Sequence, residues 1–236
     1  MKEDKRRPED DPRYQRVRRS LHDAVLRLSA KKPVDEVSVA ELTNLAGVHR
    51  TSFYAHASSP SDLLVAALVA EMEPGLRMLH STLQLEETDY SEYWQNVYTH
   101  VLSHVREREG TYRQIVTANS AVLVGLYNYF ADHVSASLAV MMSSWKNTDF
   151  TPLWLEMARQ QQAHNLMAVI MAWVATDLRA PIPRVVEAYW TLAPPWQLAK
   201  KGTDGMVEMY RRATDGSTPA SVALAGRRQI LESGSK

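Results

Sequence analysis

The sequence predicts an all-α protein, and three observations support this fold class. Apolar residues recur at intervals of three and four along most of the chain, which is the period of amphipathic helices. Capping residues, glycines and prolines stand where these periodic segments begin and end. Segments with the two-residue alternation of strands are nearly missing, and a hydrophobic content of 45% in 236 residues is that of a globular protein.

The predicted helices follow one another with short connections. The first covers about residues 13–31 and ends before Pro33, because proline cannot continue a helix. The fourth begins at Pro60 with Ser59 as its cap, and the Pro74-Gly75 pair either ends this helix or kinks it. Later helices are predicted at about residues 89–109, 111–118, 120–145 and 152–177, with a last one that starts near residue 183 and ends before Pro194-Pro195.

The second and third predicted helices are short and meet at a glycine. Ser38 can cap a helix that begins near Val39, and Glu41 completes an S-x-x-E capping box three residues later. Gly47 supplies the left-handed backbone that ends a helix and turns the chain. Beyond the turn, Phe53 can hold the third helix against the second. This arrangement is typical of a helix-turn-helix, which fits the major groove of DNA.

Polar side chains cover the rest of this helix pair and form a candidate DNA-reading face. In a helix-turn-helix the second helix of the pair places its N-terminal residues against base edges, while the first crosses the phosphate backbone. Arg50 is the best candidate for a bidentate contact with guanine. The predicted DNA-binding residues are Ser38, His49, Arg50, Thr51, Ser52, Tyr54 and His56.

The first part of the chain resembles the N-terminal domain of the tetracycline-repressor (TetR) family. The matching residues are Ala46-Gly47-Val48, Thr51-Ser52-Phe53-Tyr54, His56 and Asp62-Leu63-Leu64. The resemblance implies a three-helix DNA-binding domain with a helix-turn-helix, followed by a helical bundle for ligand binding and dimerisation. We expect a flexible arm at 1–12, the DNA-binding domain at 13–66, the ligand-binding and dimerisation domain at 67–213 and a tail at 214–236.

The sequence departs from the family pattern at Ala57, where an aromatic residue is usual, and at Pro60, where a lysine is usual. Other cations must then contact the DNA phosphates. The candidates are Lys5-Arg6-Arg7 in the arm and Arg13, Arg16, Arg18 and Arg19 in the first helix. The alternative is a solvated tail whose acidic residues offset this charge.

Large adaptable side chains are frequent in the second part of the chain. Such residues build cavities for apolar or aromatic ligands, and the resemblance implies a pocket among these helices. The alternative is that they are ordinary core residues. The candidate ligand-binding residues are Trp94, Tyr98, Tyr112, Tyr127, Met141, Trp145, Trp154 and Met157.

The last two strong helices are apolar on more than one face, which indicates burial against a second chain. Relatives in the family pair their equivalent helices into a four-helix bundle between subunits, so we expect a homodimer. The alternative is a central helix of the monomer. The candidate interface residues are Met167, Ile170, Met171, Val174, Val186, Tyr189 and Trp190.

Composition narrows the class of protein. The chain has 27 basic and 27 acidic residues, so nonspecific attraction to nucleic acid is weak and affinity requires two modules with well-placed contacts. Cysteine is missing, which excludes thiol redox sensing and a disulfide framework. The charged N-terminus and the short apolar run at 166–175 predict a cytoplasmic protein without a membrane partner.

Motifs for catalysis, nucleotide binding or metal binding are also missing. His100 and His104 are four residues apart, but the H-E-x-x-H pattern and a zinc-type cysteine set are lacking, so we expect exposed or polar-facing histidines. We therefore predict no catalytic residue, no metal and no cofactor.

The resulting hypothesis is a homodimeric transcriptional regulator, most simply a repressor, that a small apolar or aromatic effector releases from a double-stranded DNA operator. Two alternatives remain. One is a helical protein that binds a small molecule or a partner and has a degenerate DNA head, and the other is a helical enzyme with an unrecognised site.

Overall fold

The computed structural model describes residues 11–83, 89–118, 121–145, 150–201 and 207–208, and the described chain is almost entirely helical. Its helices are α1 (Pro12–Ser29), α2 (Val39–Ala46), α3 (Arg50–Tyr54), α4 (Pro60–Thr82), α5 (Tyr90–Glu107), α6 (Glu109–Ala118), α7 (Ala121–Ser143), α8 (Pro152–Ala175) and α9 (Ile182–Trp190). Short 3-10 helices cover Val34–Glu36 and Pro195–Leu198. These bounds confirm the predicted all-α class and the order of its helices.

The first three helices and the start of α4 form a small bundle around one apolar centre. Asp11 caps α1, since its Oδ1 accepts a hydrogen bond from the backbone N–H of Arg13 at 2.8 Å. α1 packs against both α2 and α4. Leu21, Leu42 and Phe53 are fully buried between these helices, so each helix contributes its apolar face to the same core.

Helix α4 is continuous through the Pro74-Gly75 pair, so of the two outcomes left open by the sequence, termination there is excluded. The helix begins as predicted: Ser59 Oγ accepts a hydrogen bond from the backbone N–H of Asp62 at 3.0 Å, and Pro60 occupies the first turn. α4 packs against α1 at one end and against α5 and α7 further along. The predicted domain boundary between residues 66 and 67 therefore falls inside one helix, and the domain limits stay a prediction.

The remaining helices build a larger bundle. α7 packs along α8, α5 lies against α9 and the 3-10 helix Pro195–Leu198, and α6 lies between α1 and α8. Two-residue strands β1 (Lys200–Lys201) and β2 (Val207–Glu208) pair antiparallel after the last helix. The predicted arm up to residue 10 and the predicted tail at 214–236 lie outside the described residues. Among the described helices, none combines the length and the apolar character needed to cross a bilayer.

Candidate nucleic-acid interface and helical-domain site

The α2–α3 pair has the predicted helix-turn-helix geometry. Ser38 Oγ accepts a hydrogen bond from the backbone N–H of Glu41 at 3.1 Å and so caps α2. The return half of the capping box is not formed, because the Glu41 carboxylate accepts from Lys32 Nζ at 2.8 Å instead. Gly47 ends α2 with a φ of 65°, a left-handed conformation that glycine adopts without a Cβ penalty. The predicted cap and turn are thus confirmed.

Most of the predicted DNA-reading face is open to solvent. Arg50 Nη2 donates a hydrogen bond to Tyr54 Oη at 3.3 Å, and the guanidinium carbon lies 5.9 Å from the centre of the Tyr54 ring. The two residues are one helical turn apart, so this contact keeps the guanidinium on the outer side of α3. Ser38, His49, Arg50, Thr51 and Tyr54 are exposed and Ser52 is half-buried.

His56 lies in a different environment from the rest of this face. Its ring centre is 4.0 Å from that of Tyr14 on α1, and Tyr14 Oη donates to the backbone carbonyl of Ala55 at 3.4 Å. Burial, and then the positive charge of Arg18, lower the pKa of His56, which favours its neutral imidazole. His56 braces the end of α3 against α1, and a DNA contact by its ring stays a prediction.

Arginines on α1 extend the basic surface beside the helix-turn-helix. Arg13, Arg16 and Arg19 are exposed and Arg18 is half-buried. Within the described part of the chain, none of the four forms an ion pair. Their guanidinium groups are therefore available to a polyanion. The predicted contribution of Lys5-Arg6-Arg7 falls outside the described residues.

The histidine pair on α5 makes hydrogen bonds inside the protein. His104 Nε2 is 3.0 Å from Glu71 Oε2 on α4, and its Nδ1 is 3.1 Å from Tyr112 Oη on α6. His100 Nε2 is 3.0 Å from the carbonyl oxygen of Met72. Of the two expected outcomes, exposed or polar-facing, both histidines meet the second, and His104 does so while it is buried. The described residues contain no group of three side chains placed to hold a metal ion.

The predicted ligand-binding residues do not all meet at one place. Five are buried, two are half-buried, and Met157 is 62% exposed on α8. Met157 therefore lines no enclosed site in this structure, and that assignment is corrected. The buried residues are Trp94, Tyr98, Tyr112, Met141 and Trp145, and the half-buried ones are Tyr127 and Trp154.

Three of the predicted residues, Trp94, Trp145 and Trp154, belong to a group of rings that we name the aromatic cluster. Consecutive ring centres in it lie 4.0–6.3 Å apart, and the series begins and ends on α5. In order of contact, its members are Tyr90, Trp145, Phe150, Trp154, Trp196 and Trp94. Tyr90 and Trp94 are one turn apart on the same helix, so the contacts close into a circuit that joins α5, α8 and the 3-10 helix Pro195–Leu198.

Hydrogen bonding within the aromatic cluster is uneven. Trp145 Nε1 donates to Tyr90 Oη at 2.7 Å. The indole nitrogens of Trp94 and Trp196 are also buried, but no acceptor on a described residue reaches them. A buried indole N–H normally has a partner, so these two donors are the unusual feature of the site.

The other predicted ligand residues serve packing contacts elsewhere. Tyr98 stacks on Tyr189 with ring centres 4.0 Å apart and accepts a hydrogen bond from Gln162 Nε2 at 3.3 Å. Burial raises the pKa of Tyr98, so its hydroxyl stays neutral. Tyr112 Oη is hydrogen-bonded to His104 Nδ1, and the ring centres of Tyr127 and His164 lie 4.5 Å apart. The contacts of Tyr98 and Tyr112 hold α5 against α6, α8 and α9, and the Tyr127 contact joins α7 to α8.

The outer side of α8 and α9 carries an apolar groove of about 420 Å³, which we name the α8/α9 groove. Leu192 at its edge is 79% exposed. Its apolar lining includes Ala168, Val169, Ala172, Val185, Ala188 and Leu192.

The predicted interface residues lie mostly beneath this groove. Met167, Ile170, Val174, Val186 and Tyr189 are buried within the protomer, so a partner could meet at most a small part of them. Met171 is 38% exposed and Trp190 is half-buried. The interface list stays a prediction, and Met171 and Trp190 are the members with the most surface left open to a partner.

Sequence reasoning missed two groups of residues. Tyr90, Phe150 and Trp196 complete the aromatic cluster. For Trp196, the sequence signal that could have been used is its position directly after Pro194-Pro195. The alanines of the α8/α9 groove were missed because alanine is equally at home in a core and on a surface.

Solved structures match the chain in three dimensions. The fatty acid degradation regulator FadR from Bacillus halodurans is 20% identical, with 78% of this chain and 95% of FadR covered and a TM-score of 0.55. The transcriptional regulator FadR from Bacillus subtilis, solved in complex with stearoyl-CoA, is 16% identical over 74% of this chain and 96% of its own, with a TM-score of 0.54.

This chain has a TetR-like fold. RolR, solved without ligand, extends the likeness at 18% identity over 74% of this chain and 89% of its own, with a TM-score of 0.50. No family model matches the chain, and no curated protein matches its sequence. At these identities the likeness is one of fold, and the TetR-like architecture agrees with the expectation drawn from residues 13–66.

Proposed function

We propose that this protein is a DNA-binding transcriptional regulator that acts as a homodimer and responds to a small molecule in its helical domain. The observation that carries the proposal is the exposed α3, held behind a glycine turn, with Arg50 and Tyr54 directed outward. A five-residue helix with one buried aromatic residue and an otherwise polar surface contributes little to the core. Its composition suits a groove of DNA.

The positions of the cations support the same interface. Exposed arginines on α1 lie beside α3, because Tyr14 on α1 contacts both Ala55 and His56 just after α3. Phosphate contacts from α1 would set the register of the protein, and base contacts from Arg50 would supply sequence preference. An overall net charge of zero keeps nonspecific binding weak, so these local contacts must supply the affinity.

Dimerisation is supported by the α8/α9 groove. An exposed apolar surface built from two adjacent helices is the type of face that two copies bury against each other. Its alanines allow helix axes to approach closely, while Leu192 and Val185 supply apolar area. A two-fold dimer would place two α3 helices on one side of the assembly, matched to half-sites about 34 Å apart.

Regulation by a small molecule would follow from two states of this dimer. A ligand lowers DNA affinity only to the extent that it binds one head separation better than the other. The FadR from Bacillus subtilis was solved in complex with stearoyl-CoA, which supports a small-molecule ligand for a protein of this fold. The outcome that we infer for ligand binding is release of the protein from its operator.

The test is DNA binding by the purified full-length protein. A labelled duplex carrying its own upstream intergenic region is titrated at several salt concentrations with excess nonspecific competitor. We expect binding that survives the competitor and weakens steeply with salt. Arg50→Ala should weaken specific binding by on the order of 1 to 3 kcal/mol, or roughly 5- to 150-fold.

Arg77→Ala is the matched control for Arg50→Ala. Arg77 is an exposed arginine on α4 that pairs with Glu73 on its own helix, and its side chain is 69% accessible. Its loss therefore removes the same charge at a distance from α3. Unchanged operator affinity in Arg50→Ala would remove Arg50 from the interface. Binding that competitor DNA abolishes in the native protein would instead favour a helical ligand-binding protein with a degenerate DNA head.

A further inference from the structure

The aromatic cluster contains two buried donors without a partner among the described residues. Trp94 is fully buried and Trp196 is 5% exposed, yet no acceptor in the described part of the chain reaches either Nε1–H. Their rings are in contact, with centres 5.6 Å apart at an angle of 83°. An indole nitrogen is a donor only and cannot exchange roles with an acceptor, so the site requires acceptor atoms from elsewhere.

The rest of the cluster defines the chemistry of that acceptor. Its walls are aromatic faces, which favour a flat partner. In the described part of the chain, the lysine and arginine contacts with aromatic rings are Arg50 with Tyr54 and Arg106 with Trp173, both outside the cluster. A bound carboxylate would thus meet no described lysine or arginine stacked on the rings of the cluster, so burying its charge against them would be costly. A plain hydrocarbon would leave both indole donors unpaired.

We propose that the aromatic cluster binds a neutral planar molecule bearing carbonyl oxygens, which accept hydrogen bonds from the indole N–H groups of Trp94 and Trp196. This inference deepens the proposed function by naming the class of its small molecule. Phe150 and Trp154 are the two half-buried rings of the circuit, so the cluster reaches solvent on their side. Trp145 adds ring area only, because its N–H is already bonded to Tyr90.

The test compares two bicyclic probes of similar size, chromone and naphthalene. Chromone carries a ketone oxygen and naphthalene has no acceptor, while both are flat and neutral. Each is titrated into the full-length protein by calorimetry, without DNA. We expect chromone to bind at least about tenfold more tightly, since naphthalene leaves buried donors unpaired.

The indole N–H signals give a direct readout of the contact. The chain has six tryptophans, so a ¹H–¹⁵N spectrum contains at most six such signals. We expect chromone to shift to lower field the two signals that disappear in Trp94→Phe and Trp196→Phe, and naphthalene to produce no such shift. Each variant keeps an aromatic ring and loses one donor, so it should lose most of the preference for chromone while still binding naphthalene.

Trp173→Phe is the control, because Trp173 Nε1 already donates to the carbonyl oxygen of Ala180 at 3.0 Å. It should retain the full preference for chromone. Three results would each overturn the proposal: equal affinity for the two probes, no binding of chromone up to its solubility limit, or shifts confined to other tryptophans. The last result would mean that the two N–H groups point at ring faces instead.

Two features keep the test decisive. If a phenylalanine variant fails to fold, the calorimetric comparison of chromone and naphthalene in the native protein still decides the outcome. The experiment contains no DNA, so its failure leaves the operator-binding result unaffected, and a failed operator assay leaves the probe comparison intact.

Discussion

Replacing Leu192 with glutamate should dissociate the proposed dimer. Leu192 is 79% exposed at the edge of the α8/α9 groove, so the folded protomer gains little from its side chain. A partner protomer that covers the groove would bury it. Leu192→Glu would then place a carboxylate at a mostly apolar interface, where Arg184 of the lining is already paired with Glu187, while the protomer itself should fold normally.

The magnitude follows from the area that the interface removes from water. Fully burying a leucine side chain is worth about 1.5–3 kcal/mol. A two-fold dimer contains two copies of the residue, so the substitution removes about 3–6 kcal/mol of association free energy. The dimer dissociation constant should therefore rise by about 10²- to 10⁴-fold, before any cost of burying charge.

The assay is the mass of the particle in solution as a function of concentration, measured by light scattering after size exclusion and by sedimentation. Leu153→Glu is the matched control, since Leu153 is 69% exposed on α8 but does not line the groove. We expect a dimer for the native protein and for Leu153→Glu, and a monomer for Leu192→Glu. A Leu192→Glu protein that remains dimeric with native affinity would refute the placement of the interface on this groove.

Two predictions concern stability. Gly75→Ala should lower the free energy of unfolding by about 1–2 kcal/mol despite the better helix propensity of alanine, because the new Cβ would overlap the His100 ring and displace it from the Met72 carbonyl. Urea unfolding measures this loss. The double variant with His100→Ala, which has no ring to displace, should recover most of the lost stability. Burial, followed by the charge of His80, lowers the pKa of His133 to about 4, so below pH 6.5 the unfolded chain takes up a proton that the folded protein does not. Stability should thus fall by about 2 kcal/mol from this residue between pH 7 and pH 4.5, and His133→Gln, which can keep the Tyr93 hydrogen bond, should flatten that part of the pH profile. An unaltered profile in His133→Gln would assign the loss to other groups.

Local sequence signals were sufficient to predict the helix boundaries of the helix-turn-helix and the start of α4. Ser38, Gly47 and Ser59 each act through backbone groups within three residues of their own position, so their effect is readable without knowledge of the fold. The boundaries of α5, α7 and α8 were likewise predicted within a few residues, and Asp89 and Thr151-Pro152 mark the starts of α5 and α8.

The helical-domain site depends on contacts between distant segments and could not be predicted in full. Trp196 meets Trp94 across about a hundred residues of chain, and it follows two prolines in a segment with no helical period. On α8, residues are apolar on both sides, so periodicity does not tell the side that packs on α7 from the side that faces outward. Ile170 and Met171 are neighbours in sequence, yet one is buried and the other is exposed.

Helix α5 connects the aromatic cluster to helices that pack next to the DNA-reading face. Trp94 and His104 lie on the same helix α5, about 15 Å apart along its axis. At the far end of α5, His104 contacts Glu71 on α4 and Tyr112 on α6, and next to it Thr111 Oγ1 lies 3.3 Å from Ser29 Oγ at the end of α1. The His104 and Thr111 contacts are largely buried, so α5 cannot tilt without displacing α4 or α6.

This connection sets a condition on any effector of the protein. A molecule that fills the aromatic cluster without moving α5 has the same affinity for both positions of the head, so it leaves DNA binding unchanged however tightly it binds. An effector must instead favour one position of α5, and the two indole donors provide the means, since Trp94 is on α5 and Trp196 is on the 3-10 helix packed against it. A carbonyl group that engages both donors fixes the spacing between these two elements. That spacing, more than the affinity of the ligand, would determine how strongly the ligand changes DNA affinity.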